Sequence, residues 1–151
     1  MPVWAICTAA GSGQRLGGGA PKALLPIGGQ PMVVLAVRPF LALPDLQKLI
    51  VTAPPDSLEQ FRAVLEPVDP RIVVVPGRAD RQGSVRAGIE ALGDIGPGIL
   101  LVHDAARPFT PMAVICRVID AVRAGASAVV PVVPVVDKLR TFLVDGCTEF
   151  A

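Results

Sequence analysis

Between Gly11 and Lys22 the chain carries five glycines, at positions 11, 13, 17, 18 and 19, with Arg15 inside the run and Lys22 just after it. Glycine permits positive φ and lets a ligand approach the backbone closely, and successive inward-pointing amides form an anion nest. Two cations seven residues apart then place fixed charge where a chain of phosphates would lie. The competing reading is a glycine-rich surface turn with two solvated charges. It does not account for the apolar run over residues 3–10 that leads straight into these glycines, as a buried strand leads into a phosphate loop.

Two other glycine loops do not fit. The dinucleotide fingerprint needs G-x-G-x-x-G and an acidic residue about twenty positions further on. Here Gly11, Gly13 and Gly17 are one residue too widely spaced, and the next apolar stretch ends in Val51-Thr52-Ala53-Pro54-Pro55 with no carboxylate. The P-loop needs Gly-Lys followed by Ser or Thr, whereas Lys22 lies between Pro21 and Ala23. An NAD-binding oxidoreductase domain is disfavoured on both grounds.

Two more stretches carry candidate chemistry. Arg78 and Arg81 lie in the loop 76–84, and Ser84 opens the following helical run, where the positive helix end and a hydroxyl suit a polar or anionic ligand. Asp104 closes an apolar strand, and a carboxylate there is costly to bury unpaired. It either caps the next helix, pairs with Arg107 or ligates a metal. Mg²⁺ takes one or two carboxylates and completes its shell with phosphate oxygens and water, so a single Asp facing a phosphate loop would suffice. His103, the only histidine, reads as a packed or hydrogen-bonded strand end and is left out of the chemistry.

The elements that must position these groups follow from periodicity. Apolar strands are expected over residues 3–9, 48–53, 71–75 and 98–102, with a fifth over 126–135 in which Pro131 and Pro134 argue for an edge or irregular course. Residues 24–31 read as a short extended piece and a turn. Helices are expected from Pro31 until Pro39 kinks or stops the run, from Asp56-Ser57 to about Leu65 with Leu58, Phe61 and Leu65 on one face, and after Ser84 with Val85, Ile89 and Leu92 aligned. A last helix is expected over residues 111–123 with Val114, Val118, Ile119 and Val122 inward. Strands alternating with helices give an α/β fold, a Rossmann-like three-layer sandwich with a mainly parallel sheet. In such sheets ligands sit beyond the carboxyl ends of the strands, so the loops 11–22, 77–84 and 104–109 should meet.

At 151 residues and 52% hydrophobic content the chain reads as one domain over its whole length. A formal net charge of +1 offers no electrostatic case for nucleic acid or an anionic membrane. The longest apolar run is interrupted by two prolines and falls short of the roughly 18 residues a span needs. With no Lys or Arg before the first apolar run, a secretory signal is not expected, and the location reads as cytoplasmic. Cys7, Cys116 and Cys147 are odd in number and far apart; the first two lie in apolar runs and read as small hydrophobes.

Taken together, Ala9-Ala10-Gly11-x-Gly13-x-Arg15-Leu16-Gly17, Pro21-Lys22, Gly77 with Arg81 and Ser84-Val85, and His103-Asp104-Ala105-Ala106-Arg107-Pro108-Phe109 resemble the 2-C-methyl-D-erythritol 4-phosphate cytidylyltransferases of non-mevalonate isoprenoid biosynthesis. The first motif is shared by nucleotidyltransferases of many kinds; the His-Asp-Ala-Ala-Arg-Pro-Phe block is the more specific, with ribitol-phosphate or other sugar-phosphate nucleotidyltransferases as the nearest alternative. The resemblance implies a nucleotidyltransferase fold, CTP and a polyol phosphate as substrates, and Mg²⁺ or another divalent cation, with Asp104 as its candidate ligand. It implies Arg15 and Lys22 as transition-state cations. Ala9, Ala10, Gly11, Gly13, Gly77, Arg81, Ser84, Asp104, Ala105 and Ala106 would bind nucleotide, with Asp104, Arg107 and Lys138 toward the acceptor.

The sequence departs from the family pattern at Thr8, where proline is usual and the strand end is expected to shift. It departs again at Lys138, where an acceptor-contacting threonine is usual. Family members also continue past position 151 through a dimerisation arm and further basic residues. The resemblance therefore implies a chain lacking its C-terminal part, a homodimer at full length, and as an alternative a CTP-binding fragment without turnover.

Overall fold

The computed structural model describes residues 1–11 and 21–134, together with the backbone of residues 141–144 and 147–150. In chain order the elements are β1 (Val3–Thr8), a hairpin of β2 (Pro26–Ile27) and β3 (Gln30–Pro31), α1 (Met32–Leu41), β4 (Leu46–Ala53) and α2 (Leu58–Leu65). There follow β5 (Ile72–Pro76), α3 (Arg81–Leu92), β6 (Ile99–Asp104), α4 (Met112–Arg123) and an antiparallel pair, β7 (Thr141–Val144) with β8 (Cys147–Phe150). The main sheet is parallel with order β5-β4-β1-β6. The chain winds outward from β1 through β4 to β5, then returns to pair β6 on the other side of β1.

That return divides the helices between two layers. Val3, Ala5 and Cys7 of β1 share one core with α1, α2 and α4 through Val33, Val37, Phe40, Phe61, Leu65, Ile115 and Ile119. Ile6 and Ile50 face the other way against Leu92 of α3, with Trp4 and Val75 beside them. β1 is thus paired on both edges and covered on both faces, which explains its continuous apolar run. Burial, with the charge of Asp104 as a lesser cause, raises the Cys7 thiol to about 12, which leaves it unreactive as expected.

Several expectations are corrected. Pro39 lies inside α1, which runs on to Leu41; only two residues follow it, so the missing amide falls in the last turn. Pro31 caps α1 rather than opening it. The extended piece and turn expected before it are present as a hairpin whose Gly28 and Gly29 take φ of 57° and 80°, values a two-residue hairpin loop requires, preceded by a 3-10 turn, Lys22–Leu24. β6 extends through His103 and Asp104. Residues 126–134 form no strand: Pro131 and Pro134 cannot donate to a ladder, and Val130, Val132 and Val133 are largely exposed. The remaining residue of that expected strand, Val135, lies outside the described residues. Cys116 is exposed, because α4 turns Ile115 and Ile119 inward. On α3 the buried line is Ser84, Gly88 and Leu92, while Ile89 is exposed. The helix approaches so closely that a Cβ at Gly88 would stand 2.7 Å from Ile6 Cγ2.

Away from the site, Arg71 ties the start of β5 to the end of α1. Its Nη2 donates to Leu41 O at 2.7 Å and to Asp69 Oδ2 at 2.8 Å, and its Nε donates to Asp69 Oδ1 at 2.9 Å. Hydrogen bonds from the Arg71 side chain and backbone lower the Asp69 carboxyl from its ordinary 3.8 to about 2. The folded state therefore holds the proton less well than the unfolded chain, and the stabilisation is present above 3.8 and lost as pH falls toward 2. Asp69→Asn should lower Tm by roughly 2–4 °C near pH 6. Thermal scans from pH 6 to pH 3 should show that difference shrinking below pH 4; a constant gap would contradict the assignment.

Candidate functional site

The loops leaving the carboxyl ends of the four sheet strands meet over one cleft of about 560 Å³. Backbone bonds continue each ladder one step past its strand and fix the loop roots. Ala9 N donates to Thr52 O at 2.8 Å, Ala105 N to Thr8 O at 3.0 Å and Gly77 N to Ala53 O at 2.7 Å. The first two place Ala9, Ala10 and Gly11 opposite Ala105 and Ala106 along the cleft wall, with small side chains that leave the backbone accessible.

The loop between β5 and α3 forms the facing wall through Arg78, Asp80, Arg81 and Ser84. Asp80 caps α3 by accepting from the Gly83 amide, and the positive end of this 12-residue helix faces the cleft. Ser84 is buried, and its hydroxyl holds the loop in shape. It accepts from Arg78 N at 3.0 Å and lies 2.9 Å from Asp80 O, so its first role is structural. Gly77 lies behind the wall. A Cβ there would fall onto the Ala10 Cβ and stand 3.0 Å from Ser84 Oγ, so the β1 and β5 loops touch only because residue 77 is glycine.

Charge is concentrated at Asp104. Its Oδ1 accepts from Arg81 Nε at 2.8 Å and from Thr8 Oγ1 at 3.0 Å, and Oδ2 lies 3.8 Å from Arg107 Nε. Burial pulls this carboxyl up, but the hydrogen bonds from Arg81 and Thr8 and the charges of Arg81 and Arg107 outweigh it, and the pKa lies below the usual carboxylate value. The partner is chiefly Arg81, not Arg107, whose side chain is 75% exposed and stands outside the cleft lining. Arg78 is drawn away to Glu90 at 2.6 Å. Lys22 is exposed on the cleft rim and makes no salt bridge among the described residues.

His103 is packed, as expected. Its Nε2 lies 3.0 Å from Arg107 O and its ring lies 4.9 Å from that of Phe40. Desolvation is the main cause of its lowered pKa, so the ring is neutral at pH 7 and donates that bond.

Of the residues singled out in the sequence, Ala9, Ala10, Gly11, Lys22, Arg78, Arg81, Ser84, Asp104, Ala105 and Ala106 come together around this cleft. Gly13, Arg15 and Lys138 lie outside the described residues. The sequence reading missed Thr8, Ala23, Met32, Pro54, Pro55, Ala79 and Asp80. Pro54 and Pro55 follow β4 directly, and the rule that ligands gather at strand carboxyl ends was the signal for them. Asp80 was visible as an Asp three residues before a helical Gly83. Among the described residues no group of three or more His, Cys, Asp or Glu is placed to hold a metal ion, and no helix is long and apolar enough to cross a membrane.

Residues 3–149 match the family described as IspD, 2-C-methyl-D-erythritol 4-phosphate cytidylyltransferase. The chain belongs to this family. The cytidylyltransferase of that name from Streptomyces coelicolor is 49% identical over 140 residues, which cover 90% of this chain and 52% of the relative. The one from Nocardia farcinica is 48% identical over 139 residues, covering 92% and 59%. The chain thus spans about half the length of the curated cytidylyltransferases it matches. The fold is that of a bifunctional IspDF structure from Campylobacter jejuni, with a TM-score of 0.76 at 21% identity over 99% of this chain and 37% of that one. A 4-diphosphocytidyl-2C-methyl-D-erythritol synthase from Anaerococcus prevotii gives 0.68 at 22% identity, covering 99% and 62%.

Within this family fold the contact between Gly77 and Ala10 joins two walls of the cleft. Gly77→Ala should cost about 1–3 kcal/mol in urea unfolding, the scale of overpacking. Gly96→Ala, where a Cβ meets nothing within 4 Å, should stay within about 0.5 kcal/mol of the parent. Equal effects would show that the loop contact is not tight.

Proposed function

We propose that this chain carries the nucleotide site of a cytidylyltransferase joining CTP to 2-C-methyl-D-erythritol 4-phosphate, with release of pyrophosphate. The observation that carries the reading is the convergence on one cleft of the backbone at Ala9–Gly11, the first turn of α3, Lys22, Arg81 and Asp104, in a chain of this family. Relatives bearing the cytidylyltransferase name supply the identity of the substrates.

In this reaction an oxygen of the acceptor phosphate attacks the α-phosphorus of CTP. The bond between that phosphorus and the bridging oxygen to the β-phosphorus breaks, and the oxygen leaves with its electron pair on pyrophosphate. A phosphate monoester, with a second pKa near 6, is largely dianionic at neutral pH and needs no general base. The chemistry then depends on positioning and on stabilising negative charge around the α-phosphorus. Lys22, which makes no salt bridge among the described residues, is placed at the cleft rim to do this. Arg15 has the same role by resemblance.

A divalent cation also suits the donor set. Asp104 Oδ1 is taken by Arg81 and Thr8, whereas no hydrogen bond reaches Oδ2 among the described residues. One carboxylate oxygen fits an ion that draws its remaining ligands from phosphates and water. Bound there, it would neutralise phosphate charge.

The test is calorimetry with CTP, UTP, ATP and GTP in the presence of magnesium, beside a pyrophosphate-release assay with the acceptor. CTP should bind best. Lys22→Ala should lower kcat by about 10²–10³ with a much smaller effect on CTP affinity, as for a group that acts mainly in the transition state. A variant that kept kcat and raised only KM would make Lys22 a ground-state clamp. CTP binding without pyrophosphate release would assign the chain to holding the nucleotide alone.

A further inference from the structure

We propose that Thr8 is a positioning residue: with Arg81 it clamps one oxygen of Asp104, so that the other oxygen is the one presented to the ligand. The inference rests on the preceding functional reading only for the identity of that ligand, a nucleoside triphosphate with its cation. Thr8 Oγ1 and Arg81 Nε converge on Oδ1 at 3.0 and 2.8 Å. Among the described residues no hydrogen bond reaches Oδ2, and Arg107 Nε stands 3.8 Å from it, beyond hydrogen-bonding distance.

The two donors differ in what they can fix. Arg81 reaches Asp104 from α3 on a long side chain that is 61% exposed, and a phosphate in the cleft competes for its guanidinium. Thr8 is the last residue of β1, and its Cα is the partner of Asp104 in the parallel ladder between β1 and β6. The main sheet itself therefore sets this contact, and a β-branched side chain has few rotamers with which to leave it. The hydroxyl has one proton. Its alternative acceptor, His103 O, is farther away at 3.4 Å, and donation to a carboxylate is the stronger bond.

The same ladder provides an internal control. Thr52 of β4 is the partner of Thr8 on the other side. It is fully buried, and its hydroxyl has no hydrogen-bond partner among the described residues. It therefore matches Thr8 in type and register while holding nothing in the cleft.

Two measurements test the clamp. In urea unfolding without ligand, Thr8→Val, Asp104→Ala and the double variant should be non-additive; additive effects would overturn the contact. In calorimetry with CTP and magnesium, Thr8→Val should weaken binding roughly threefold to tenfold, the worth of one hydrogen bond. Thr8→Ser should restore it, and Thr52→Val should leave it unchanged. Unaltered affinity in Thr8→Val, or a Ser variant as weak as Val, would overturn the positioning role. If the parent bound no nucleotide while the cycle remained non-additive, the nucleotide reading would fall and the clamp would stand.

Discussion

The site depends on one topological constraint, the reversal of winding at β1. A strand paired on both edges and buried on both faces has no freedom to tilt, so every loop leaving its neighbours starts from a fixed point. Because α1 and α2 cross on one face and α3 on the other, the loop after β1 and the loop after β5 face each other across the sheet's end. The cleft is the space between them. Its walls touch where side chains are smallest, at Gly77, Ala10 and Ser84, and α3 comes down onto β1 through Gly88. Close approach by small residues, more than apolar bulk, brings the first turn of α3 within reach of Asp104.

That same feature explains what the sequence did and did not reveal. The fold class was legible because four apolar runs, each ending in a polar loop, have few other arrangements as a parallel sheet. The orientation of α3 was not, since periodicity weights Val85, Ile89 and Leu92, whereas the buried line is Ser84, Gly88 and Leu92. Hydropathy cannot see a face buried by the absence of a side chain. The stretch 126–134 failed for the opposite reason, as its valines outweighed two prolines that forbid a regular ladder.

Within the site, residues contributed by loops were legible from glycine, charge and turn chemistry. The contact between Thr8 and Asp104 was not. It joins residues 96 positions apart and exists only because two parallel strands pair in one register, information that neither local sequence carries. Arg81 as the main partner of Asp104 was hidden in the same way, since Arg107 is the cation nearer in sequence.

The charge arrangement separates two tasks that a cationic cleft might otherwise combine. Asp104 stays ionised through its hydrogen bonds to Arg81 and Thr8 and the positive charge around it, and in return it ties up much of the charge of Arg81. Arg78 is likewise committed to Glu90. His103, the residue best suited to proton transfer at neutral pH, has its ring nitrogen engaged by the Arg107 carbonyl. Among the described cleft residues, the side-chain cation left uncommitted to a carboxylate is Lys22, at the cleft rim. A lysine uncommitted to a carboxylate suits a reaction whose nucleophile arrives already charged and whose barrier is electrostatic. In the proposed reaction the carboxylate would hold Arg81 and present an oxygen, and the Lys22 ammonium would meet the charge as it moves from the α-phosphorus to the leaving pyrophosphate.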